Sequence, residues 1–244
     1  MKHISILVKR ELMSYFYSPV AYVFIIIFLL STVGTTFFIG NFFDSNQAGL
    51  NIFFAFHPWL YLFLIPAVGM GLWSEERNSG TIELLFTLPV SMIQAVFAKF
   101  LAGWIFIGIA LVLTIPMVFT VGFLGEPDFG VITASYLGSF LMSGSYLAIT
   151  CVTSALTRNQ VISFILSVLI CFILVLLGWG VFAGIMNQLL PVWLTDLIST
   201  FSFSTHFNSI NRGIIDSRDL IFFLSIIGGG LVINALILEA KKSV

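Results

Sequence analysis

Six long apolar runs dominate the chain, at Val20–Gly40, Phe56–Ser74, Ile93–Gly122, Ile132–Leu156, Val161–Ile185 and Leu220–Leu238. Each run is continuous rather than alternating, which excludes the period-two pattern of a barrel strand. A helix needs about 20 apolar residues to cross the hydrocarbon of a bilayer, and backbone in lipid must satisfy its own hydrogen bonds. The pattern therefore predicts an all-α membrane protein of six transmembrane helices. Ahead of the first run, Ile4, Leu7, Val8, Leu12, Tyr15 and Phe16 recur at helical spacing, with Lys9, Arg10 and Glu11 between them. This predicts an amphipathic helix over residues 1–18 lying in the membrane interface, ended by Pro19.

Composition agrees with the pattern. The 244 residues are 59% hydrophobic and 9% charged, against roughly 25% charged in a soluble domain, so most of the surface faces lipid. A net charge of −1 supplies no basic face for nucleic acid, which is excluded as a partner. Cys151 and Cys171 lie inside apolar runs and read as small buried hydrophobes. His3, His57 and His206 have no metal-ligand spacing. The uncharged run from Leu12 to Phe43 is too long for a signal-peptide core of ~7–15 residues, and reads as a retained span.

Lys and Arg set the orientation. An even number of crossings puts Lys2, Lys9, Arg10, Arg77, Arg158, Lys241 and Lys242 on one side, with Lys99 just inside the third span, and leaves Arg212 and Arg218 on the other. Both termini are expected in the cytoplasm. Residues 75–90 then form a cytoplasmic loop and residues 187–219 an external segment.

The first of these loops is the most informative stretch. Glu75-Glu76-Arg77-Asn78-Ser79-Gly80 leads to Thr81–Leu88, a short amphipathic helix with Ile82, Leu85 and Phe86 on one face and Glu83 off it, stopped by Pro89. Ser91 and Gln94 predict a capping box opening the next span. The helix reads either as a docking element for a soluble protein or as an element resting on lipid. Glu75, Glu76 and Glu83 favour docking, because carboxylates are poorly placed on an anionic leaflet. In the external segment, Pro191, Trp193, Leu194, Leu197, Ile198 and Phe201 form an apolar stripe able to dip back as a re-entrant element. Beyond it, His206, Phe207, Arg212, Gly213, Asp216, Arg218 and Asp219 form a polar cluster expected to pair internally and cap the last span.

Recognisable enzyme motifs are absent: there is no phosphate-binding Gly-x-x-x-x-Gly-Lys-Ser/Thr loop, His-Glu-x-x-His or Gly-x-Ser-x-Gly. No Asp, Glu or Arg sits near a span centre, and Lys99 is expected to snorkel to the interface, which argues against an ion-coupled transporter. Ser31, Thr32, Thr35, Thr36, Ser139, Ser143 and Ser145 read either as a mildly polar translocation path or as close helix packing. Gly180 and Gly184 form a further small-residue pair on the fifth span.

Residues Glu76 to Val90, Glu-Arg-Asn-Ser-Gly-Thr-Ile-Glu-Leu-Leu-Phe-Thr-Leu-Pro-Val, resemble the first cytoplasmic loop of ABC-2 type ABC transporter permeases. The amphipathic start ending in Ser18-Pro19-Val20 is similar to theirs. Ser204-Thr205-His206-Phe207 followed by Arg212–Asp219 resembles the gliding-motility-associated branch, the Gld F type. The resemblance spans the chain as one ABC-2 type transmembrane domain, residues 1–244. It implies a non-enzymatic permease subunit in the bacterial inner membrane, paired with a second permease copy, identical or not. A cytoplasmic ABC ATPase carrying ATP and Mg would seat on Thr81–Leu88 as the coupling helix, and no cofactor is bound by the permease itself. An auxiliary membrane protein with a periplasmic domain often accompanies the branch. Glu76, Gly80, Thr81, Ile82, Glu83, Leu85, Phe86 and Pro89 are the coupling residues this implies. The rival reading is a non-transporting anchor or assembly subunit of a cell-envelope or motility complex.

Overall fold

A computed structural model describes residues 2–44, 49–82 and 91–242. No strand occurs among the described residues. The helices in chain order are α1 (Lys2–Tyr17), α2 (Pro19–Gly34) with a π-helical extension at Thr35–Ile39, α3 (Asn51–Ala55), α4 (His57–Gly69), α5 (Gly71–Ser79), α6 (Met92–Val112), α7 (Pro116–Leu124), α8 (Phe129–Leu156), α9 (Gln160–Leu176), α10 (Gly180–Leu189), α11 (Val192–Ser199), α12 (Phe203–Asn211) and α13 (Ser217–Lys242).

Among the described residues, four segments are long and apolar enough to span a membrane: Pro19–Ile39, Met92–Leu124, Phe129–Leu156 and Ser217–Lys241. The expected fifth span does not run straight through Ile185. Gln160–Leu176 and Gly180–Gln188 are bent 73° apart. The bend brings Gly178 against Ser202, so closely that a Cβ at Gly178 would overlap Ser202 Oγ. Ser202 and Ser204 both donate to the Val175 carbonyl at 3.4 Å, which also accepts from the Gly178 N–H at 3.3 Å as the helix ends. The expected second span is also interrupted. Pro66 lies inside α4, and Met70 separates α4 from α5. At about 1.5 Å per residue, α4 alone is too short to cross.

α8 is the central pillar. It packs against α13, α9, α4, α12, α6 and α5, and its own core residues are mostly small: Ala134, Ser135, Gly138, Ser139, Ser143, Gly144, Ala148. Without a hydrophobic drive between helices in lipid, close backbone approach supplies the packing. A Cβ on Gly230 of α13 would lie 2.9 Å from Ala148 Cβ and 3.3 Å from the Ala148 backbone. Gly230→Leu is therefore expected to force α8 and α13 apart and cost about 2–3 kcal/mol, read as a lower melting temperature in detergent. Gly229→Leu, where nothing lies within 4 Å, is the matched control and should melt like the wild type. Equal melting of the two variants would refute this packing.

α1 packs along α6, with Tyr15 stacked on Phe106 at 5.1 Å. The capping box at Ser91 and Gln94 forms as the spacing requires, each backbone N–H bonded to the other's side chain at 3.3 Å.

Candidate functional site

The polar arm carried by α5 is built from the break at Met70. Ser154 of α8 closes that break. Its hydroxyl donates to the Met70 carbonyl at 2.8 Å and accepts from the N–H groups of Trp73 and Ser74 at 3.0 and 3.1 Å. The arm ends at Gly80, whose φ of 74° is left-handed. A side chain there would be strained by about 1–2 kcal/mol, so glycine turns the chain sharply into Thr81 and Ile82. Ile82 is half-buried and packs against the apolar core. Glu83, Leu85, Phe86 and Pro89, and with them most of the expected Thr81–Leu88 helix, lie outside the described residues.

Three charges tie this arm to the helices beside it. Lys99 of α6 does not snorkel outward as expected. It is buried, and its ammonium meets Glu76 Oε1 at 2.8 Å and Glu11 Oε2 at 3.4 Å, 5.2 Å over the Trp73 ring. Snorkelling is unnecessary because two carboxylates reach it, one from α1 and one from α5. Burial alone would raise the Glu11 carboxyl, but Lys99 and Arg10 beside it more than offset this and hold it below the ordinary value. Glu76 Oε2 is buried with no hydrogen-bond partner among the described residues. Sequence reading missed this triad. Its one signal was a lysine near the start of an apolar run.

On the other side of the arm, Arg77 donates to the carbonyls of Ala155 and Thr157 at 2.7 and 3.2 Å, where α8 ends. Partial burial and the charge of Arg158 lower its pKa from the ordinary value. A cavity of about 630 Å³ opens beside the arm, walled by α1, α2, α4–α6 and Gln160 of α9, with Glu11, Glu75, Glu76 and Lys99 at its polar side and Phe24 and Phe106 at its apolar side.

The hydroxyls offered as a path are placed differently. Thr32 and Thr36 are buried and donate to the carbonyls one turn back, those of Phe28 at 2.9 Å and Thr32 at 2.7 Å; Thr35 does the same to Ser31. Ser31 is half-buried beside them. Ser139 is buried and bonded to the Tyr61 hydroxyl at 2.6 Å, Ser143 to the Phe140 carbonyl, and Ser145 to the Phe223 carbonyl. All but the half-buried Ser31 and Thr35 lie in packed helix contacts within the protomer. Asn234 of α13, not singled out from the sequence, is fully buried with neither amide atom partnered among the described residues.

At the opposite end of α8, the external motif folds into α12 and the start of α13. His206 Nε2 donates to the Thr200 carbonyl at 2.8 Å, and Nδ1 lies 2.6 Å from Asp219 Oδ1. A carbonyl only accepts, so a proton must sit between ring and carboxylate. The ring stacks on Phe222 at 4.0 Å. Phe207 is buried in the core. Asp216 Oδ1 accepts from the Arg218 N–H at 3.1 Å, and that bond leads the causes holding its carboxyl below the ordinary value. Arg212 caps α12, and Gly213 takes φ 84° against Val131. His57 lies apart from this cluster. It sits among Phe28, Phe53, Phe54 and Tyr61, bonded to the Phe53 carbonyl. No group of metal-binding side chains forms among the described residues.

Long apolar helices around a single pillar, with a polar arm bonded to three of them, define a multi-pass membrane protein. Residues 6–220 match the ABC-2 family transporter protein model, and the chain belongs to that family. It is thus a membrane permease of an ABC transporter, the transmembrane component rather than the ATPase, and an ABC ATPase is its implied partner. The comparison with curated proteins found no match.

Proposed function

We propose that this chain is one half of an ATP-driven exporter of the inner membrane, two permease copies pairing and each seating an ABC ATPase on the loop of residues 75–90. ATP and Mg bind the partner; the permease holds no cofactor. Both termini and the α5 arm face the cytoplasm, and the kinked α4–α5 pair and the bent α9–α10 pair complete six crossings in a single transmembrane domain. Thr81, Ile82, Glu83, Leu85, Phe86 and Pro89 form the coupling element. Motif likeness at His206, Arg212 and Asp219 supports a reading in which the chain is of the gliding-motility type and works with an auxiliary protein at the external face.

The observation carrying this reading is the α5 arm itself. Through Lys99 it moves with α1 and α6, and through Arg77 and Ser154 with α8. A push delivered at Gly80 thus reaches the pillar of the fold. Such transmission requires contacts whose energy differs between two states, and ion pairs at one end of an arm are suited to that. Lys99 near the start of α6 is the charge inside a described span interior, and it is neutralised by Glu11 and Glu76; interiors otherwise so apolar favour an amphiphilic or polypeptide substrate over a small ion.

The test is ATP hydrolysis in lipid nanodiscs by the permease co-expressed with an ABC ATPase encoded beside it, against that ATPase alone. Hydrolysis stimulated by the permease is the expected result. Stable binding with hydrolysis indifferent to the permease would overturn the transporter reading in favour of an anchor.

A further inference from the structure

Three cations from separate stretches of chain converge where α8 ends. Arg77 Nη1 lies 2.7 Å from the Ala155 carbonyl oxygen, and Lys241 Nζ, from the end of α13, lies 2.8 Å from the same atom. Lys241 also donates to the Leu156 carbonyl at 3.2 Å. Arg158, exposed at the turn into α9, is near enough to act electrostatically on both. Among the described residues none of the three has a carboxylate within ion-pair distance. Glu76 is committed to Lys99. Glu75 and Glu239 stand two residues from Arg77 and Lys241, on the far faces of their helices.

The end of α8 offers these charges carbonyl dipoles worth about half an elementary charge. Two cations on one carbonyl, with Arg158 acting on both, are far from neutralised, and their mutual repulsion calls for an anion. The setting says which kind. Lys241 closes the 25-residue apolar span Ser217–Lys241, so it stands at the boundary of the hydrocarbon. Ile233, Ile237 and Lys241 follow one another at four-residue intervals along one stripe of α13, with Ile233 half-exposed, and Leu156 is exposed at the end of α8. An apolar strip therefore leads up to the charges. A diffusible phosphate has no use for that strip; an acyl chain does.

We infer that Arg77, Arg158 and Lys241 form a headgroup site for an anionic phospholipid, its phosphate on the three cations and its chains along α13. The inference shares the membrane placement given above but not the ATPase coupling. Because Arg77 belongs to the α5 arm, a bound lipid would brace that arm against α8 and α13.

The experiment is native mass spectrometry of the full-length permease released from mixed phosphatidylglycerol and phosphatidylcholine, comparing wild type with Arg158→Gln and with Arg158→Gln/Lys241→Gln. Arg77 is left intact because it also holds α5. Wild type should retain phosphatidylglycerol preferentially, and the preference should fall about fivefold for each charge removed. The single variant keeps the test decisive if the double variant melts early, since Arg158 is exposed. Equal retention of the two lipids by wild type, or an undiminished preference in the variants, overturns the site. Displacement of the lipid by millimolar inorganic phosphate would reassign it to a free anion. Loss of ATPase recovery with an unchanged lipid preference would make the trio a protein contact instead. Lipid retention is read without any ATPase present, so its failure is separable from failure of the exporter reading.

Discussion

Leu85→Arg is expected to abolish recovery of an ABC ATPase with the purified permease while leaving the permease in the membrane. Leu85 and Phe86 follow Gly80 at the spacing of one helix face, in a loop otherwise rich in carboxylates. A desolvated apolar anchor at the centre of an interface is worth about 2–4 kcal/mol, or roughly 30- to 1,000-fold in affinity, and a guanidinium in its place leaves a charge unpaired. The measurement is the ATPase-to-permease ratio after affinity purification, with size-exclusion profiles to confirm that the variant is folded. The half-buried Ile82 turns into the permease core, so Glu83→Lys is the companion variant, placed off that face. Undiminished ATPase recovery by both variants would refute docking at this loop.

Lys99→Met is expected to be the most damaging change at the polar arm. Methionine preserves most of the volume and removes the charge that holds Glu11 and Glu76 together. Breaking a buried ion pair from one side costs about 3–5 kcal/mol. Here both carboxylates keep some access to water and Arg10 still serves Glu11, so about 2–3 kcal/mol is expected. That corresponds to a melting temperature lower by about 5–10 °C at neutral pH. Glu11→Gln/Glu76→Gln in the Lys99→Met background should recover much of the loss, because a fully neutral set leaves no unpaired charge.

The pH dependence has a defined sign. The Glu11 carboxyl is depressed in the folded protein, so its contribution is complete above the ordinary carboxylate range and is lost as pH falls through and below it. In Lys99→Met the Glu11 carboxyl loses the leading cation that lowers it, so acidification costs the variant less. The gap in melting temperature between wild type and variant should therefore narrow on acidification. A gap that is absent at neutral pH, or that widens in acid, would refute the triad. Hydrolysis in the reconstituted complex should fall with the same variant, since α5 would then move independently of α1 and α6.

Much of the architecture could be read along the chain. Apart from the second and fifth apolar runs, which are interrupted, the amphipathic start, the long apolar runs and the cap at Ser91 reappear as α1, the long helical segments and the start of α6. Each depends on residues within one or two turns of each other, which is the range that periodicity and capping chemistry report. The expected external pairing was legible in part: His206 does engage Asp219, 13 residues on, but Arg212 serves as a helix cap. The bend at Gly178 was not legible, because Ser202, which a side chain at Gly178 would overlap, is brought there by the return of the chain into α12.

What the sequence by itself determined is the kind of molecule this is. Hydropathy and charge are properties of local stretches, and they are enough to require membrane helices and to locate a polar arm between them. The tertiary structure alone decided how that arm is wired. Lys99 meets a carboxylate 88 positions away, Arg77 and Lys241 reach the same carbonyl from 78 and 86 positions away, and Ser154 closes a break 84 positions away. Such partners are chosen by helix packing around α8, where small residues let backbones approach closely. No local pattern along the chain encodes which distant helix end will stand opposite a given charge.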